Sequence, residues 1–132
     1  MPKYFTRAEA EALLPRLRPL LLELRAARTE LHQAEERADE LLLKMRGNGH
    51  AHQGEVEQLR SRMAELGTTI NDGILRITQW GVLVKDLTMG LVDFPAERDG
   101  REVYLCWRLG EAGIGWWHTI EGGFAARQPL ED

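Results

Sequence analysis

The 132-residue chain contains one cysteine, Cys106. No internal disulfide can form, and that cysteine usage fits a reducing compartment. Long apolar runs are missing too: none approaches the roughly 20 residues needed to span a bilayer. The opening "MPKYFTRAEAEALLPRL" lacks the basic-then-apolar order of a secretory signal. A cytoplasmic protein with no membrane partner is therefore expected. Positive charge is in deficit, with 17 Lys and Arg against 21 Asp and Glu, a net charge of -4 and a pI of about 5.6. The arginines of the first part (Arg7, Arg16, Arg18, Arg25, Arg28) are interleaved with glutamates, as on a solvated helix face, so no nucleic-acid partner is expected. No glycine-rich phosphate loop, nucleophile elbow or zinc-finger spacing occurs. What remains, 43% hydrophobic and 29% charged, is the composition of an ordinary globular chain with enough length for one core.

The first part reads as helix. Thr6 followed by Glu9 is a capping-box signature. Pro15 and Pro19 lack backbone donors and crowd the preceding turn, which predicts a short first helix, a kink, and a long helix to about Met45. Leu17, Leu20, Leu24, Ala27, Leu31, Ala34, Ala38, Leu41 and Met45 step by three and four. After the turn "RGNGHAHQGE", Val56, Leu59, Met63, Leu66, Ile70, Gly73, Ile77 and Trp80 do the same. Two such seams predict an antiparallel, coiled-coil-like hairpin over residues 1–80, turning near 47–54. One rung sets Ala27 against Gly73, and a close approach of the backbones is expected there. Leu13, Leu14, Leu21, Leu22, Ile74 and Leu75 make the hairpin base apolar nearly all round, so something must cover it. Leu42 and Leu43 extend apolar surface towards the tip, which suggests a homo-oligomer.

From Gly81 the period changes to two. "VLVKDL", "GLVDF", "EVYLCWRL" and "GWWHTI" are short β-branched and aromatic runs, predicting a small three- to four-stranded antiparallel sheet over residues 81–132 with an irregular tail. The whole is an α+β fold, with the sheet packed on the hairpin base. "RDGR" gives a two-residue type I′ turn, and "GEAGI" a three-residue loop with Gly113 in the left-handed region. The first turn sets Asp93 opposite Cys106; the second sets Cys106 opposite His118. Val92, Phe94, Val103, Leu105, Trp107 and Trp117 form the core face, leaving Asp93, Cys106 and His118 together on the other.

Thiolate, imidazole and carboxylate side by side suit Zn²⁺ or Fe²⁺. The reading is a metal-binding protein; three protein ligands plus water would be the arrangement of a catalytic site, so a small metalloenzyme is one form it can take. Glu111 is the candidate fourth ligand or general base, and Arg108, Tyr104 and Trp116 are candidates for holding a substrate. Against this stands a plainer reading: a cysteine in a strand is usually a small hydrophobe, Asp93 can pair with an arginine such as Arg108, and His118 can stack on Trp116. A Cys–His nucleophile pair ranks lower, because no helix N-terminus is present to acidify the thiol. His50 and His52 read as polar residues of the hairpin turn. The alternative of another class is a non-catalytic oligomeric scaffold or adaptor whose sheet docks a protein partner, with Trp116 and Arg108 as anchors.

"FTRAEAEALLPRLRPLL", "GLVDFPAERDGREVYLCWRLGE" and "WWHTIEGGFAARQPL" resemble an uncharacterised bacterial family known as a domain of unknown function, number 2203. The resemblance covers nearly the whole chain and implies a free-standing bacterial cytoplasmic protein. It brings no activity, substrate or cofactor that can be placed on these residues.

Overall fold

A computed structural model describes residues 3–47 and 50–131. Helix α1 (Arg7–Lys44) ends in a 3-10 turn (Met45–Gly47), and α2 (Gln53–Gln79) runs back beside it. Part of the expected hairpin turn, residues 48 and 49, lies outside the described residues. Strands β1 (Leu83–Asp86), β2 (Leu91–Arg98), β3 (Arg101–Arg108), β4 (Trp116–Thr119) and β5 (Gln128–Pro129) follow, with a second 3-10 turn (Phe124–Ala126) before β5. They form one antiparallel sheet in chain order.

The capping box closes α1 as expected. The Thr6 hydroxyl accepts from the Glu9 amide at 3.1 Å, and the Glu9 carboxylate accepts from the Thr6 amide at 2.9 Å. The expected break at the prolines does not occur: α1 is one helix of 38 residues with Pro15 and Pro19 inside it. Both prolines are exposed. They stand four apart, so they share one face, and water can bond the carbonyls they leave without donors. The opposite face buries Leu14, Leu17, Leu20, Leu21 and Leu24, and that burial outweighs the lost bonds.

The two seams pack against each other, burying Leu17, Leu24, Ala27, Ala34, Ala38 and Leu41 against Val56, Leu66, Ile70, Gly73 and Ile77. At the small-against-small rung a large side chain comes in from one turn away. A Cβ on Gly73 would fall 2.4 Å from a δ-carbon of Leu24, so the Leu24 side chain packs directly on the glycine. Arg62–Glu30 and Arg37–Glu55 pairs bridge the helices at the exposed rim, where such pairs add little energy.

The sheet lies on the hairpin base through its apolar face. Val92, Phe94, Ala96, Val103, Leu105 and Trp107 join Phe5, Leu14, Leu17, Leu21, Leu24 and Ile77 in one buried cluster. The amide of Phe5 also donates to the Pro95 carbonyl at 2.7 Å. The cover is one-sided, because Leu22 and Leu75 on the outer side of the base remain exposed.

The Asp99-Gly100 turn forms with both residues at positive φ, 54° and 77°, as a type I′ turn requires. It sets Arg98 opposite Arg101 and Asp93 opposite Cys106. The β3–β4 connection differs from expectation: Tyr104, not Cys106, lies opposite His118, and Cys106 lies opposite Trp116. The chain turns at Leu109-Gly110, where Gly110 has φ 104° and the Glu111 amide donates to the Arg108 carbonyl. Gly113 is not at positive φ. Residues beyond the turn are drawn onto α1, with the Ile114 amide donating to Glu11 and the Ile114 side chain fully buried. The turn comes earlier than expected and the detour onto α1 makes up only part of the difference, so Cys106 meets a residue two positions earlier than expected. Because side chains alternate with period two, an even shift keeps every residue on its expected face.

Candidate metal centre

One row of side chains runs across the outer face of the sheet: Leu83, Asp93, Cys106, Trp116 and Pro129, each the cross-strand partner of the next. The adjoining row is Pro95, Tyr104 and His118. His118 therefore stands diagonally from Cys106. Its ring reaches across Tyr104, which it meets edge-on at a centroid distance of 5.6 Å. The length of the imidazole spans the diagonal. Asp93, Cys106 and His118 each offer a ligand atom within 4.8 Å of the others, and it is the one such group among the described residues.

The three are not on the open surface that the outer face would suggest. Cys106 is 0% exposed, and Asp93 and His118 are 2%. Over Cys106, part of the cover comes from the tail. Arg127 places its guanidinium 4.0 Å from Cys106 Sγ and forms an ion pair with Glu111 at 2.9 Å. The same guanidinium lies between the rings of Trp116 and Phe124, 4.4 and 4.5 Å from their centroids.

Hydrogen bonding fixes the state of the imidazole. Nδ1 lies 2.7 Å from the Thr119 carbonyl oxygen, which can only accept, so Nδ1 carries a proton. A neutral ring then turns the Nε2 lone pair towards Asp93 Oδ1, 3.1 Å away. An ionised carboxylate facing that lone pair is two acceptors in contact, so a positive species must lie between them, either a proton or a metal ion. A backbone carbonyl holding the far nitrogen is how metal-ligating histidines are commonly oriented.

Burial dominates the electrostatics. It pushes the Asp93 carboxyl above its ordinary range, partly offset by His118 and Lys85. It pushes the Cys106 thiol up to about 11, with Asp93 adding to the rise and Arg127 opposing it. In the metal-free protein the thiol keeps its proton from the ordinary 9.0 up to that value, while the unfolded chain has already lost it. The folded state therefore holds more protons in this window, and stability falls as pH rises from about 9 to about 11, by up to roughly 1.4 kcal/mol per pH unit. Urea unfolding in EDTA across that range is expected to show the decline, and Cys106→Ala is expected to flatten it.

The other candidates are placed near the cluster but are otherwise engaged. Glu111 does not join it: one carboxylate oxygen accepts from the Arg108 amide at 2.8 Å, the other from Arg127. Its backbone carbonyl accepts from Trp107 Nε1 at 3.1 Å. Trp116 lies under Arg127, Arg108 over Phe124, and Tyr104 between His118 and Lys85. His50 bonds Gln53 at the start of α2, at the far end of the hairpin. The residue that sequence reasoning missed is Arg127. It sits in "FAARQPL", which has no period; the only signal is Gly122-Gly123 followed by an aromatic residue.

Residues 3–130 match the family described as uncharacterized conserved protein (DUF2203), and the chain belongs to that family. No curated protein and no solved structure matches the chain.

Proposed function

We propose that this protein binds a transition-metal ion, Zn²⁺ or Fe²⁺, through Asp93, Cys106 and His118. The observation that carries the reading is the convergence of three unlike ligand atoms within 4.8 Å in a buried position. The donor set fits such an ion. Bonds of about 2.0–2.3 Å in a tetrahedral arrangement put ligand atoms about 3.3–3.7 Å apart. The Asp93–His118 contact, at 3.1 Å, lies just short of that range, and the widest pair needs to close by about 1 Å. Thiolate and imidazole favour zinc or iron over magnesium and calcium. Charge balances as well: thiolate and carboxylate offset a divalent ion, while Arg127 is matched by Glu111.

A bound ion supplies Lewis acidity and, with three protein ligands, a fourth position for water. The chain's own residues hold the ligands in place. The Thr119 carbonyl orients His118, Tyr104 packs against its ring, and Arg127 faces the sulfur. Metal content of untagged protein tests the reading most cheaply. About one equivalent of zinc or iron, lost in Cys106→Ala, is expected; less than a tenth of an equivalent, unchanged by that substitution, removes it.

A second reading, a scaffold whose hairpins self-associate, is favoured by Leu42 and Leu43 near the tip, 41% and 59% exposed. It requires an oligomer in light scattering, and a strict monomer at high concentration rules it out.

A further inference from the structure

The cover over the cluster is made differently from the rest of the molecule. Residues 121–131 pair with nothing but β4 among the strands, through the two residues Gln128–Pro129, and add bonds from the Leu130 amide to the Gly115 carbonyl and from the Gly122 amide to Thr119. The segment begins at Gly122-Gly123, and Gly123 has φ 66°, a left-handed conformation natural to glycine and suited to a pivot. None of its residues is buried. Its one anchor in the core is the partly buried Leu130, and segments with so short a ladder belong to the parts of a fold that open locally below the global unfolding cost.

Arg127 concentrates the holding contacts at one point. Its guanidinium joins Glu111 by an ion pair, stacks between Trp116 and Phe124, and occupies the space beside Cys106 Sγ. It therefore stands beside the sulfur on the outer face. The stack brings Phe124 of the same segment over the same guanidinium, so withdrawing Arg127 leaves that ring only its longer contact with Arg108.

We propose that residues 121–131 form a strap, hinged at Gly122-Gly123 and latched by Arg127, that governs access to Cys106 and so the entry and exit of the metal. The role in metal entry rests on the metal-binding reading; the gating of the thiol does not.

The experiment follows reaction of full-length, EDTA-treated protein with the disulfide reagent DTNB. The wild-type thiol is expected to react slowly. Arg127→Ala is expected to react at least about tenfold faster, with little change in melting temperature. Glu111→Gln, which weakens the ion pair and leaves the stack, is expected to fall between them. Equal rates for the wild type and Arg127→Ala overturn the strap, as do rates that track global unfolding in urea. Should Arg127→Ala fail to fold by circular dichroism, Glu111→Gln decides, and an unchanged rate there overturns the proposal. A parallel arm follows uptake of zinc alone. Faster labelling with no zinc uptake by any form retains the strap as a gate to the thiol and removes the metal reading. Zinc uptake without faster labelling does the reverse.

Discussion

Replacing Cys106 by alanine is expected to lower zinc affinity by about a hundredfold to a thousandfold. Structural zinc sites bind with roughly 10–16 kcal/mol in total, so each of three or four ligands carries about 3 to 4 kcal/mol. At about 1.4 kcal/mol per factor of ten, the loss of the thiolate gives that range. Cys106 is fully buried in β3 and alanine fits the same pocket, so the fold is expected to survive. Competition against a zinc-sensitive dye reads the effect. An affinity unchanged within a few-fold places the metal, if one binds, on other residues.

The second large effect concerns stability without metal. Asp93→Ala is expected to cost about 1–3 kcal/mol, because it leaves the His118 imidazole buried without its partner. His118→Ala exposes the same weakness from the other side, stranding the Asp93 carboxyl. The double variant is expected to be more stable than the sum of the two single losses by about 1 to 3 kcal/mol, since removing both partners leaves no stranded polar group. Urea unfolding of all four proteins in EDTA closes the cycle. Simple additivity would mean that the 3.1 Å contact contributes no coupling.

Most of this architecture was legible in the sequence, for identifiable reasons. The seams followed from the steps of three and four, and the β2–β3 register from Asp99-Gly100, because both signals are local. The face bearing Asp93, Cys106 and His118 followed from alternation, and it survived a register error because the error was even. What was not legible depended on contacts distant in sequence. The loop after β3 lengthens because Ile114 is buried and Glu11, 103 residues away in sequence, captures its amide. Helix α1 runs through its prolines because of the leucines packed on its other side. Arg127 reaches Cys106 by docking on two aromatic rings, and the "FAARQPL" segment has no pattern that announces it. The outer face therefore looked open from the sequence, whereas the folded chain closes it.

The central claim is that one ion is shared by a sulfur and two lighter ligand atoms of this cluster. X-ray absorption at the zinc edge of the loaded protein tests it most directly. The account predicts one sulfur at about 2.3 Å together with nitrogen and oxygen at about 2.0–2.2 Å, the sulfur shell vanishing in Cys106→Ala. A first shell of nitrogen and oxygen alone in the wild-type protein would contradict it.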